Sequence, residues 1–345
     1  MIPLENAFPG GSKSRVNRAG FAIAANAETA EDSKVFDEWR ASHRQVLNTF
    51  QAILRIRAKG KNITVAQRHK RRVTILDKLT RHPGMSLARM DDVAGCRLIF
   101  KSIADLHDFR SSIHRAIFKH KLRNDPHKYD YIKKPKDTGY RGIHDVYEYD
   151  VNSDVGRCLK GLLVEIQYRT LIQHSWATAV EVIGLITQSQ PKFERGDSRF
   201  TLAMSYASEI LARAFESSTG PYPDMPNREV VARFRSLDRE IKLLRLLGGV
   251  RVADQTLTRG GDIILIFNKD GTLEVRMYSS TPSALHDLFQ LEGDLFREDV
   301  VLVRGATSHD VRLAYQNYFG DTSDFIALVN EGCAKLSGRK AKKQI

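Results

Sequence analysis

Apolar positions along the chain follow two different periods, and the switches between them outline the elements. Over residues 31–57, Phe36, Trp39, Val46, Phe50, Ile53 and Leu54 recur at helical spacing between polar residues, which predicts one long amphipathic helix. Arg55 and Arg57 stand in its last turn and Gly60 stops it. The pattern over 65–81 reads as a second helix, broken by His82, Pro83 and Gly84. Residues 95–100 are a short apolar run, read as a strand, and 103–120 as a helix. Residues 147–151 look strand-like. Residues 162–169 alternate strictly: Val164, Ile166 and Tyr168 point one way, Leu163, Glu165, Gln167 and Arg169 the other. Helices are expected over 171–186 and 198–217.

The composition then shifts. Residues 220–226 hold three prolines and a glycine and read as a linker. Asn227 opens a helix running to Leu247, closed by Gly248 and Gly249, with Val230, Val231, Phe234, Leu237, Ile241 and Leu244 as its apolar stripe. Two strands, 262–268 and 272–278, flank Lys269-Asp270-Gly271, a hairpin signal. A helix over 282–289, a strand over 299–304 and two short helices complete the chain. Residues before about 30 read as a loosely ordered arm. The expectation is an α+β protein in three parts: 1–226, a linking helix 227–248, and a smaller unit 249–345.

Composition narrows the class. Lys plus Arg number 54 against 41 Asp plus Glu, a net charge of +13, which suits a polyanionic partner such as a nucleic acid or nucleotide. Cys96, Cys158 and Cys333 are too few and too scattered for a disulfide scaffold or a cysteine-rich zinc site. No apolar run reaches the roughly 18–20 residues that span a bilayer, so a soluble, cytoplasmic protein without a membrane partner is expected.

Four clusters carry candidate chemistry. Lys70, Thr74 and Lys78 fall on one face of the expected helix, with Arg71 beside them. Asp92 precedes the apolar strand. Lys133, Lys134, Lys136, Gly139, Tyr140 and Arg141 form a basic loop with an aromatic ring, able to hold phosphate by charge and stack a base. Glu165, Gln167 and Arg169 share one face of a strand. Taken singly, each has a plain reading as a solvated face, a polar loop or a wet strand. Together, two carboxylates, several cations and a stacking ring are the parts of phosphoryl transfer, since Mg²⁺ takes one or two carboxylates plus phosphate oxygens. No Walker A motif or kinase signature is present.

The blocks Arg68-x-Lys70-x3-Thr74-x3-Lys78, Met90-Asp-Asp92-Val-Ala-Gly95-Cys-Arg97, Tyr129-Asp-Tyr131 through Pro135-Lys136-x2-Gly139-Tyr140-Arg141-Gly-Ile-His144, and Val164-Glu165-Ile-Gln167-Tyr-Arg169 with His174 resemble the synthetase domain of the RelA/SpoT family, in order and spacing, over roughly 60–185. The resemblance implies a nucleotidyltransferase-like mixed sheet flanked by helices, and transfer of pyrophosphate from ATP to a nucleotide 3′-hydroxyl. By similarity, Arg68 and Arg97 flank the adenine, and Lys70, Thr74 and Lys78 hold the ATP phosphates. Asp92 and Glu165 bind Mg²⁺, with Glu165 as the base. Tyr140 stacks the acceptor base, and Lys136, Arg141, His144, Gln167, Arg169 and His174 line the acceptor side.

Tyr315 and Tyr318, three residues apart, follow a short helix. A synthetase domain followed by a small domain with this motif resembles the fused toxin–antitoxin proteins called CapRel. That resemblance implies a zinc-finger-like second domain without metal, whose tyrosines block the ATP site until a phage protein such as a capsid protein binds. It also implies tRNA as the acceptor, pyrophosphorylated at its 3′ CCA end to stop translation in anti-phage defence. The alternative is an alarmone synthetase that uses GDP or GTP.

Overall fold

The computed structural model describes residues 8–187, 196–249, 261–267, 273–293, 299–305, 307–314 and 321–338. Its elements are α1 (Lys13–Ala24), α2 (Ala30–Ala58), β1 (Thr64–His69), α3 (Arg72–Arg81), β2 (Ala94–Phe100), α4 (Ile103–His114), β3 (Lys121–Leu122), β4 (Ile143–Glu148), α5 (Asp154–Arg157), β5 (Leu163–Thr170), α6 (Leu171–Thr187) and α7 (Ser198–Phe215). Then come α8 (Asn227–Ile241), α9 (Leu243–Gly248), β6 (Gly261–Phe267), β7 (Leu273–Tyr278), α10 (Thr281–Gly293), β8 (Asp299–Gly305), α11 (Ser308–Ala314) and α12 (Ser323–Leu336). The expected α+β class is what the chain adopts. One mixed eight-stranded sheet runs β3-β4-β5-β2-β1-β8-β6-β7, with β2 and β5 parallel and the other neighbours antiparallel.

The long N-terminal helix forms as the periodicity predicts. Thr29 and Asp32 close a capping box at its start, with each side chain accepting the other residue's backbone N–H. Two local expectations fail in the first eighty residues. The arm before residue 30 contains α1, capped by Ser12, whose Val16, Ala19 and Ile23 are buried in the main core. The helix expected over 65–81 is a strand followed by a shorter helix. β1 pairs with β2 on one side and β8 on the other, and Val65, Ala66, Gln67 and His69 are buried. Buried on both faces, it loses the alternation that marks a strand, so its apolar positions mimic a helical repeat.

The helix expected from Asn227 to Leu247 breaks at Lys242, whose φ of 53° lies in the left-handed region. Asn227 does not cap it; its side chain accepts from Arg213 Nη1 at 2.7 Å.

The segment beyond residue 249 does not stand apart as a separate zinc-finger-like unit. β8 joins β1 through Gln67↔Arg304 and Arg68↔Val303, extending the sheet of β1 to β5 by three strands. α12 returns to pack Phe325, Val329 and Cys333 into the core formed by α6, α7, α8 and α9. The physical cause is the pairing capacity of β1: an open strand edge is satisfied by another strand of the same chain. The hairpin over β6 and β7 is present; its expected turn, with Asp270 and Gly271, lies outside the described residues. No helix among the described residues is long and apolar enough to cross a membrane.

Candidate active site

Strand register gathers the candidate residues on one face of the sheet. In the ladders Gly95 lies opposite both Arg68 and Glu165, Arg97 opposite Gln167, and His144 opposite Gln167. Because side chains alternate across a strand, Arg68, Arg97, His144, Glu165, Gln167 and Arg169 share that face. Asp91 and Asp92 stand just before β2, at the end where Glu165 enters β5.

Before β2, Asp92 is clasped by two ammonium groups. Lys70 Nζ lies 2.6 Å from its Oδ2 and Lys78 Nζ 3.0 Å from its Oδ1. Lys70 leaves the end of β1 rather than sharing a helix with Lys78, so the expected i, i+4, i+8 face does not exist. The two lysines meet because a strand end and α3 converge on Asp92. Thr74 sits one turn before Lys78 on α3. Burial works against the Asp92 charge, but Lys70 and Lys78 hold its pKa at about 2. Asp91 is raised by burial and by its neighbours Asp92 and Glu165. Lys70 is lowered by burial, whereas Lys78 is raised by Asp92 and Asp91 against a burial penalty. The pocket thus concentrates carboxylates that repel one another and lysines that neutralise them.

That donor set suits a small hard cation. Asp92 and Glu165 are oxygen donors facing one space, and Mg²⁺ takes one or two carboxylates and completes its shell with phosphate and water oxygens. Among the described residues no group of three or more His, Cys, Asp or Glu side chains is arranged to hold a metal by itself. A cation held here needs further ligands from a nucleotide.

Across β4 and β5, polar contacts run in a line. Arg169 donates to Tyr140 Oη from Nη2 at 3.1 Å and from Nε at 3.3 Å. Tyr140 Oη lies 2.5 Å from His144 Nε2, and His144 Nδ1 lies 2.7 Å from Glu165 Oε1. Gln167 Nε2 donates to Glu165 Oε2 at 2.6 Å. Burial opposes charge on Glu165, yet His144 holds its pKa below the ordinary value. His144, also buried, is raised to about 9 by Tyr140 and Glu165. Tyr140 is brought down to about 7 by Arg169 and His144 in spite of burial.

Glycines make this packing possible. Gly142 has φ of 151°, and a Cβ there would lie 3.2 Å from Tyr140 Oη and 3.3 Å from Arg169 Cγ. Gly139, at φ of 94°, brings the loop against α7, where a Cβ would lie 2.9 Å from Ser205 Cα.

Lys136 is exposed, its Nζ 4.5 Å from the Tyr131 ring centroid and 5.6 Å from that of Tyr140. Arg169 lies 5.2 Å from the Tyr140 centroid. Tyr131 and Trp176 meet the Tyr140 ring edge-on. Sequence reasoning did not single out these two rings; the spacing of Tyr129, Tyr131 and Tyr140 was the available signal.

Two expected acceptor residues point elsewhere. Arg141 is buried in an ion pair with Glu216, a carboxylate that also accepts from Thr170 and Gln173. That cluster ties the loop to the end of α7. His174 is buried, its Nε2 2.6 Å from the Leu313 carbonyl on α11, and burial beside Arg97 and Arg169 lowers its pKa to about 3. It therefore fastens the C-terminal segment. Tyr315 and Tyr318, the expected autoinhibitory pair, lie outside the described residues.

Comparison with known proteins agrees with the sequence blocks. Residues 67–183 match the family model of the region found in RelA/SpoT proteins. The GTP pyrophosphokinase YjbM of Bacillus subtilis is 34% identical over 116 residues, covering 33% of this chain and 52% of that protein. The uncharacterised protein Rv1366 of Mycobacterium tuberculosis is 28% identical over 177 residues, 51% of this chain and 59% of that protein. The chain thus spans between half and three-fifths of the length of these curated relatives. Among solved structures, the small alarmone synthetase 1 of Bacillus subtilis bound to its product pppGpp aligns at TM-score 0.43 with 25% identity, covering 51% of this chain and 90% of that one. A GTP pyrophosphokinase family protein of Streptococcus pneumoniae aligns at TM-score 0.43 with 21% identity, covering 63% and 98%.

Proposed function

We propose that this chain, which carries a RelA/SpoT-type synthetase region over residues 67–183, is an ATP-dependent pyrophosphokinase that uses a guanosine nucleotide as acceptor. The observation that carries the reading is the Lys70–Asp92–Lys78 clasp standing beside Glu165 on one sheet face. Two lysines and a carboxylate are what a metal-bound triphosphate requires, and a second carboxylate beside them can take the acceptor's proton. In this reading the acceptor 3′-oxygen attacks the β-phosphorus of ATP. The bond from that phosphorus to the α,β-bridging oxygen breaks, AMP leaves, and the hydroxyl proton passes to Glu165. Mg²⁺, held by Asp92 and Glu165 when bound, neutralises phosphate charge. Lys70 and Lys78 turn from Asp92 to the phosphates, Arg68 and Arg97 flank the adenine, and Tyr140 stacks the acceptor base. The guanosine acceptor is favoured by the likeness to the GTP pyrophosphokinase YjbM.

A second reading has the tRNA 3′ end as acceptor. What favours it is charge: Lys133, Lys134 and Lys136 are exposed on the loop that presents Tyr140, and the chain carries a net +13. Such cations suit a phosphate backbone. On that reading the protein is a toxin in anti-phage defence. Its C-terminal segment restrains the site through Tyr315 and Tyr318 until a phage capsid protein binds, and contact between His174 and Leu313 supports a segment seated beside the site.

One assay separates the readings. ATP labelled at the γ-phosphate is offered with GDP, GTP and deacylated tRNA in parallel. Label on GDP or GTP supports the first reading and label on tRNA the second; label on none of them rejects the first, and rejects the second when a phage capsid protein is also present.

A further inference from the structure

We propose that His144 is a positioning residue that ties the stacking ring to the base, holding Tyr140 and Glu165 in one chain so that a nucleobase seated on Tyr140 arrives in register with the Glu165 carboxylate. This deepens the pyrophosphokinase reading and rests on it.

The argument begins with the phenol. A ring alone stacks a base, and phenylalanine would serve. Here the Tyr140 hydroxyl is drawn into contact with three polar atoms, Arg169 Nη2 and Nε and His144 Nε2. Gly142 leaves the space that this hydroxyl and the Arg169 stem occupy. The direction of the bonds follows from donor inventory. Arg169 only donates, so its two N–H groups occupy the Tyr140 oxygen lone pairs. An ionised Glu165 only accepts, so His144 Nδ1 donates to it. Tyr140 Oη and His144 Nε2 share the remaining proton, and the chain closes whichever atom holds it.

Glu165 is then pinned on both oxygens, by His144 from β4 and by Gln167 from its own strand. His144 and Gln167 are ladder partners, so the two pins belong to one rigid pair of strands. Tyr140 is the member on a loop. His144 therefore joins a loop residue that meets the acceptor to a strand residue that meets its hydroxyl, and fixes their separation. Partners that orient a reacting carboxylate typically affect activity by about 10–100-fold when removed.

The test uses the full chain and three substitutions. Tyr140→Phe keeps the ring and loses the link. His144→Asn retains a donor near Nδ1 and loses Nε2. His144→Gln does the converse. Each is expected to lower kcat about 10–100-fold while the acceptor KM stays within about threefold. Tyr140→Phe with His144→Asn together should cost no more than either alone, since both cut the same link. A rise in acceptor KM at unchanged kcat would make His144 a direct acceptor contact and overturn the proposal, as would additive losses.

A second measurement does not depend on transfer. A double-mutant cycle of Tyr140→Phe and Glu165→Gln, read from urea unfolding, should show coupling in the wild-type background and none in His144→Ala. Coupling that survives in His144→Ala, or that is missing from the wild type, overturns the link. If the wild-type protein transfers pyrophosphate to no acceptor while the cycle behaves as expected, the functional reading fails and the positioning chain stands.

Discussion

One face of one sheet is used in two ways. Over β4, β5, β2 and β1 it carries His144, Glu165, Gln167, Arg169, Arg97 and Arg68. Over β8 and β6 the same face carries Val301, Val303, Ile263 and Leu265, fully buried with Val311 of α11. Ala66 and Ile99 belong to this apolar cluster as well, so the boundary between the halves falls within β1 and β2. In the polar half His144 and Glu165 form a largely buried charge pair, where desolvation roughly cancels attraction and little net stability remains. The apolar half gains from burial without that cancellation. The hydrogen-bond chain orders the site's side chains, and the apolar half contributes the greater share of burial beside it.

Beneath the junction, on the opposite face, the halves are joined by charge. Asp262 of β6 pairs with Arg44 of α2, accepts from Thr281 at 2.7 Å, and lies 3.2 Å from Arg304 of β8. Arg304 in turn donates to Asn48 at 3.2 Å. Arg44 and Asp262 are each about 2% exposed. A buried pair of this kind is costly to break from one side, because the remaining charge has no water to return to.

The comparison can be tested at its extremes. Glu165→Gln strikes the polar half and should lower transfer by about 10²–10⁴-fold, with a smaller shift of the thermal midpoint in a differential scanning experiment than Asp262→Ala gives. Asp262→Ala removes the carboxylate that faces buried Arg44 and half-buried Arg304 and should cost about 3–5 kcal/mol in urea unfolding. Loss of a single transition in that variant would show the C-terminal strands separating from the rest. Ile263→Ala removes apolar contacts from the foundation alone and should cost about 2–5 kcal/mol, while kcat measured well below the midpoint stays near wild type. If Ile263→Ala instead reduced kcat at full folding, the two halves would not be separable.

The smallest effect concerns acid. Asp145 lies behind His144 on β4, fully buried and held by Arg110 Nη2 at 2.7 Å and His114 Nε2 at 2.7 Å. Burial would raise its pKa, but His114 and Arg110 hold it below the ordinary value. A depressed carboxyl contributes stability above its unfolded pKa, about 3.9, and that contribution fades as pH falls through the lower folded value. Asp145→Asn should therefore flatten the acid limb of the stability curve below about pH 4, measured by urea midpoints across pH.

Much of the site was legible before folding was considered. The alternation around Glu165, Gln167 and Arg169 fixed their common face, because a half-polar strand cannot hide its period. Tyr140 and His144, four residues apart in one sequence block, meet at 2.5 Å. What stayed hidden has a shared cause. β1 read as a helix because both its faces are buried, and the acceptor-side roles expected for Arg141 and His174 gave way to Glu216 and the Leu313 carbonyl, partners 75 and 139 residues away.

The sequence by itself determined the class of elements, the long capped helix, and the face on which chemistry-bearing side chains stand, since these depend on neighbours within a few residues. Only the tertiary structure decided that Lys70 and Lys78 close on one carboxylate from different elements, and that β6, β7 and β8 extend the sheet instead of folding apart. Pairing of β1 with β8 joins residues more than two hundred positions apart. No local period encodes such a contact. It is settled by which strand edge is open and which apolar face needs a cover.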